Sequence, residues 1–189
     1  MAIEIAERFS VAAPIERVWA FLTDPAAVAA CLPGARLGET IDDRTFRGSI
    51  SVKIGPVLSS YAGEARFEEL DAAARLVVVV GRGTAAGGMG GAELRMTSHV
   101  KTGTGGLTEV EVSATVNLSG RVAQLGGRLV GDISHRLFEQ FTACEKSRLE
   151  EAGAAGGAAP AAAPSSVNAL AVVFRALVAS LKRLFRFSR

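Results

Sequence analysis

Side chains able to carry chemistry are scarce in this chain. Its 189 residues include two histidines, two cysteines, one tyrosine and one tryptophan. His99 and His135 both fall on the solvated sides of their segments, with no carboxylate or cysteine at metal-ligand spacing, so no metal centre or nucleophile and base pair is expected on them. Cys31 and Cys144 form no C-x-x-C pair and read as reduced, buried filler, which points to a cytoplasmic protein. Residues 81–91 are glycine-rich, yet G-x-x-x-x-G-K-[ST] is absent and no G-x-G-x-x-G separates a strand from a helix, so phosphate binding is not expected. Met1 to Val11 alternates and carries acids, unlike a secretory signal. Inward ionisable groups are missing too: beyond Tyr61 none is found, and a cyclase or hydrolase would need two or more within reach of each other. An enzyme is therefore not expected.

The net charge of +2 conceals a second absence. All 19 Asp/Glu and 16 of the 21 Lys/Arg lie in residues 1–151, a balance of −3, whereas residues 152–189 hold five bases and no acid. The length suits one domain of about 150 residues with an appendage.

What is present is mostly pattern. Ile3, Ile5 and Phe9 mark a first strand. Pro14 starts a short helix with Ile15, Val18, Trp19 and Leu22 at helical spacing, and Asp24-Pro25 starts a second that ends near Cys31 before Leu32-Pro33-Gly34. Period two then takes over. Phe46, Gly48, Ile50, Val52 and Ile54 share one side of a strand, Tyr61, Gly63, Ala65 and Phe67 one side of the next. Leu76 to Val80 is apolar on both faces. Leu94, Met96, Ser98 and Val100, then Val110, Val112, Ala114, Val116 and Leu118, alternate with polar residues, as in a sheet wet on one face and covered on the other. Gly120 to Glu151 reads as one long helix, with Val122, Leu125, Gly126, Leu129, Val130, Ile133, Leu137, Phe141 and Cys144 on its covered arc. Strands grouped apart from helices make this an α+β fold.

In a meander alternate turns share an end, so Gly55 to Val57, Thr84 to Ala92 and the start of the long helix define one mouth. Inward positions are often small (Gly48, Gly63, Ala65, Ser98, Ala114), which implies either an apolar void under the sheet or a close approach of sheet and helix. If the void exists, Ile54, Pro56, Val57, Met89, Val122, Leu125, Gly126 and Leu129 line its mouth, with Phe46, Tyr61 and Phe67 deeper and Ile133 on the helix.

Residues 152–166 are an Ala/Gly/Pro linker. Beyond it, residues 167–189 form an amphipathic helix: Phe174, Leu177, Val178, Leu181, Leu184 and Phe185 on one side, Arg175, Lys182, Arg183 and Arg186 on the other. Apolar and purely basic faces together fit the headgroup layer of an anionic membrane. Arg175 interrupts a run already shorter than the roughly 20 apolar residues of a spanning helix. Nucleic-acid binding would leave the apolar face unexplained.

Ala13-Pro14-Ile15-Glu16-Arg17-Val18-Trp19, Leu32-Pro33-Gly34-Ala35, Lys53-Ile54-Gly55-Pro56 and Gly120-Arg121-Val122-Ala123-Gln124-Leu125-Gly126 together resemble the CoxG family of aerobic carbon monoxide dehydrogenase subunits, within the START-like or polyketide-cyclase-like helix-grip superfamily. The resemblance covers about residues 1–151. It implies a seven-stranded sheet gripping a C-terminal helix around an apolar pocket, with no covalently bound cofactor. It further implies association with a molybdenum hydroxylase such as carbon monoxide dehydrogenase, and peripheral attachment at the cytoplasmic face of the cell membrane. Some family members resemble carriers of an isoprenoid quinone (menaquinone or ubiquinone). A membrane-recruitment or assembly factor, and a polyketide-cyclase-like enzyme, are the alternatives.

Overall fold

The computed structural model describes residues 1–54, 57–88, 90–125 and 127–154. Seven strands form one antiparallel sheet: β1 (Ala2–Val11), β2 (Ala35–Thr40), β3 (Thr45–Ile54), β4 (Val57–Asp71), β5 (Leu76–Ala85), β6 (Gly91–Thr102) and β7 (Thr108–Leu118). Their order is β1-β7-β6-β5-β4-β3-β2, so β2 to β7 are a meander and β1 joins the far edge by pairing with β7. Helices α1 (Ile15–Leu22) and α2 (Pro25–Cys31) link β1 to β2, and α3 (Gly127–Ala154) follows β7. This is the α+β helix-grip arrangement expected.

Local signals work as their chemistry dictates. The Asp24 carboxylate caps α2, accepting hydrogen bonds from the backbone N–H groups of Ala26 (2.8 Å) and Ala27 (3.3 Å), with Pro25 as the first helical residue. Asp71 closes the β4–β5 turn by accepting from Ala73 and Ala74. Five cations on the outer sheet face are tied to acids: Arg8 to Glu109 and Glu111, Lys101 to Glu111, Arg47 to Glu39 and Glu64, Arg95 to Glu68, Arg82 to Glu93. Val77 and Val78 are both buried, as the two-sided apolar run in β5 requires.

Three expectations are corrected. The segment from Gly120 is not one helix. Gly120 sits at φ +75°, Val122–Leu125 form a separate 3-10 turn, and α3 begins only at Gly127; glycine in a left-handed conformation interrupts the helical path. Thr84 and Ala85 belong to β5 and Gly91 and Ala92 to β6, which shortens the loop at the mouth. Cys31 and Cys144 are not separate thiols: they are bonded, with Cα atoms 5.4 Å apart, joining the end of α2 to α3. That distance lies within the range a disulfide accepts, and spacing in sequence says nothing about it. The pairing removes the support that reduced cysteines gave to a cytoplasmic location.

The inward glycines answer a different need from the one expected. Gly48, Gly63 and Gly83 stand in register across β3, β4 and β5. A Cβ on Gly63 would lie 1.9 Å from the carbonyl oxygen of Arg82, and one on Gly48 would lie 2.8 Å from that of Arg36. These glycines let neighbouring strand backbones crowd together, and thereby let the sheet bend sharply around α3.

Candidate functional site

Beneath the bent sheet the core is divided. One cluster gathers Phe9, Val11, Val18, Phe21, Val100, Val110 and Leu149 where α1, α2 and the second half of α3 meet the sheet. The other gathers Tyr61, Ala85, Leu118 and Val130 around the start of α3. α3 rests on β1 and also touches β3. Between these supports the inner faces of the middle strands keep solvent access: Ala65 is exposed, and Gly81, Val79, Leu94 and Met96 are only part-buried. Cross-strand register places these residues in adjoining rows, Ala65 beside Phe46 and Gly81, and Val79 beside Phe67 and Met96.

The turns expected to share one end of the sheet do so. Ser119 ties the β5–β6 turn to the end of β7: its N–H donates to the Gly91 carbonyl (2.9 Å), and its Oγ accepts from the Gly91 N–H (2.8 Å). The β3–β4 turn lies at the same end by register.

Of the expected lining residues, Phe46 and Phe67 meet edge to face, 5.7 Å between ring centroids, with Phe67 buried and Phe46 half-buried. Tyr61 is buried, but in the cluster near the mouth and not deeper with these phenylalanines, because β4 enters the sheet only four residues earlier. Ile133 packs against that cluster, and Leu129 is 37% exposed. Ile54, Val57, Val122 and Leu125 are placed by backbone alone. Pro56, Met89 and Gly126 lie outside the described residues, as do the expected linker and the membrane helix with Phe174 to Arg186.

Two polar groups stand out within this apolar layer. The Tyr61 hydroxyl is buried without a hydrogen-bond partner among the described residues, and burial pushes its pKa up, so it remains a phenol able to donate. Glu145 is the larger surprise: it is wholly buried on α3, and neither carboxylate oxygen has a hydrogen-bond partner among the described residues. Desolvation raises its pKa from 4.5 to about 8, against a small opposing effect of Lys146. At neutral pH it is a neutral acid able to donate a proton or a hydrogen bond. The expectation of no inward ionisable group beyond Tyr61 is therefore wrong. The signal was available: Glu145 follows Phe141 and precedes Leu149 by four residues each, inside the covered arc.

His135 is solvated, as expected, but it does have carboxylate neighbours. Its Nδ1 lies 2.8 Å from Glu7, which occupies an inward position of β1, and its Nε2 lies 3.4 Å from Glu139. The hydrogen bond to Glu7, reinforced by the charges of Glu7 and Glu139, raises its pKa. This pair pins α3 to β1. Among the described residues no group of three His, Cys, Asp or Glu is placed to hold a metal, and no helix is long and apolar enough to cross a membrane.

A curved antiparallel sheet closing on a long C-terminal helix, with a layer of apolar side chains between them, defines a START-like helix-grip protein. The likeness extends to solved structures. A conserved protein from Geobacillus kaustophilus matches with a TM-score of 0.70 at 17% identity, covering 80% of this chain and 97% of that one. The ZhuI aromatase/cyclase from Streptomyces sp. R1128 matches at 0.56 and 17% identity, over 84% and 100%. A START superfamily protein from Mycobacterium smegmatis matches at 0.56 and 13% identity, over 79% and 98%. At such identities these establish the fold alone. Comparison with curated protein sequences returns no match. Residues 8–150 match the CoxG family of carbon monoxide dehydrogenase subunits, and the chain belongs to that family.

Proposed function

We propose that this protein carries an apolar ligand with a polar head, an isoprenoid quinone such as menaquinone or ubiquinone, between the membrane and a molybdenum-containing dehydrogenase of the carbon monoxide dehydrogenase type. The observation that carries the proposal is the inner face of β4 to β6. Its apolar side chains keep solvent access between two packed clusters, and a ligand there would complete their burial. The unpartnered Tyr61 hydroxyl is a donor suited to a quinone carbonyl. Phe46, Phe67 and Ile133 would contact the ring and chain. The family supplies the partner enzyme. The linker at 152–166 and the basic amphipathic segment at 167–189 would hold the domain peripherally at the cytoplasmic face.

Electron transfer tests this reading. Purified dehydrogenase, given its substrate and the quinone-loaded protein, should reduce the carried quinone faster than it reduces the same quinone in detergent. Equal rates would reject the carrier role and leave a recruitment factor. Ala65→Trp, which fills the middle of the inner face, should fold normally and lose the loaded quinone.

Glu145 favours a second reading, a cyclase-like activity, because a neutral buried acid is a competent proton donor. Neither of its oxygens has a hydrogen-bond partner among the described residues, so no acid and base pair is formed and the carrier reading is preferred.

A further inference from the structure

The structure assigns the mouth end of the domain itself, apart from the tail, as a surface that docks on an anionic lipid membrane. Leu58 and Leu129 enter the interface, and Lys53 and Arg128 contact the lipid phosphates.

Leu58 is 68% exposed, the most exposed large apolar side chain among those described. It stands on β4 directly opposite Lys53 of β3, at the hairpin end that belongs to the mouth. Leu129 is 37% exposed and follows Arg128 in the first turn of α3. That turn lies at the same end, since a Cβ on Gly127 would be 3.9 Å from the Met1 sulfur, and Met1 is hydrogen-bonded to Leu118 at the end of β7. Both flanks of the mouth therefore present the same pairing of an exposed leucine with a cation.

Charge separates this end from the rest of the domain. The stretches 53–60, 83–92 and 117–131 contain Lys53, Arg121 and Arg128 and no acid; the acids that border them are Glu93, which pairs with Arg82, and Asp132. Across the outer sheet face Arg8, Arg47, Arg82, Arg95 and Lys101 are neutralised by glutamates. Lys53 and Arg128 have no ion-pair partner among the described residues. An apolar side chain beside an unneutralised cation is the combination that enters a headgroup layer, the leucine reaching the acyl boundary and the cation staying with phosphate. Only the purpose of this contact rests on the carrier reading. Mouth-first docking lets a ligand pass between bilayer and sheet without crossing water.

Hydrogen exchange on the full chain, with no ligand present, tests docking separately from carriage. Vesicles of phosphatidylcholine with phosphatidylglycerol should protect residues 52–60 and 127–131 as well as the tail, and vesicles of phosphatidylcholine alone should protect them far less. Lys53→Gln with Arg128→Gln should weaken vesicle binding about fivefold for each cation removed. Leu58→Asp with Leu129→Asp should abolish protection at the mouth while tail protection and melting temperature stay unchanged. Protection confined to the tail, or mouth protection produced by the dehydrogenase and not by vesicles, overturns the proposal.

Discussion

Cys31 and Cys144 are bonded across 113 residues of sequence, and this single link clamps the end of α2 to the buried side of α3. It closes most of the domain into one loop, so its main effect falls on the unfolded chain, whose freedom it restricts.

The link should be measurable as stability. Reduction, or Cys31→Ala with Cys144→Ala, should lower the unfolding free energy by about 2–5 kcal/mol in urea titrations with and without reductant. Alkylation and intact-mass analysis of the denatured, unreduced protein should find no free thiol. Two free thiols in freshly purified protein would mean the bond is not made.

Glu145 sets a pH dependence of definite sign. Its folded pKa of about 8 exceeds the ordinary 4.5, so the folded state binds more protons between those values. Stability falls as pH rises from about 4.5 to about 8, and the full penalty of ionising the buried carboxyl applies above that. Glu145→Gln should match the wild type near pH 4 and exceed it by on the order of a few kcal/mol at pH 9, read by chemical denaturation. Parallel profiles for the two proteins would show that the carboxyl is not neutral in the fold.

Two glycine substitutions should move in opposite directions. Gly63→Ala puts a methyl 1.9 Å from the Arg82 carbonyl oxygen and should cost about 1–3 kcal/mol or more. Gly131→Ala meets nothing within 4 Å on α3 and should gain about 0.5–1 kcal/mol from helix propensity. Thermal melts of the two variants decide whether the glycine row bends the sheet, since a harmless Gly63→Ala would remove that explanation.

These effects mark where the sequence was legible. Period two in β3 to β7 revealed the sheet and its wet face because each strand buries one side, and Asp24-Pro25 revealed α2 because a cap is a local device. The cysteine bond was not legible, since it depends on how α2 lies against α3. Glu145 is hidden for another reason: its residue type is charged although its helical position is apolar. Alternation marks Gly63 as inward and small, but only the backbone of β5 reveals that it serves curvature. Phe46 and Phe67 meet, as inward positions on neighbouring strands allow, whereas Tyr61 lies closer to the mouth than an inward alternation alone conveys.

On the carrier reading an oily molecule occupies the layer between the middle strands and α3. Organic extraction and mass spectrometry of the full-length protein, purified from its native membrane without detergent exchange, tests it most directly. The wild type should yield a near-stoichiometric isoprenoid quinone, and Ala65→Trp should yield none. Repeated extraction of no quinone or comparable lipid from folded protein would contradict it.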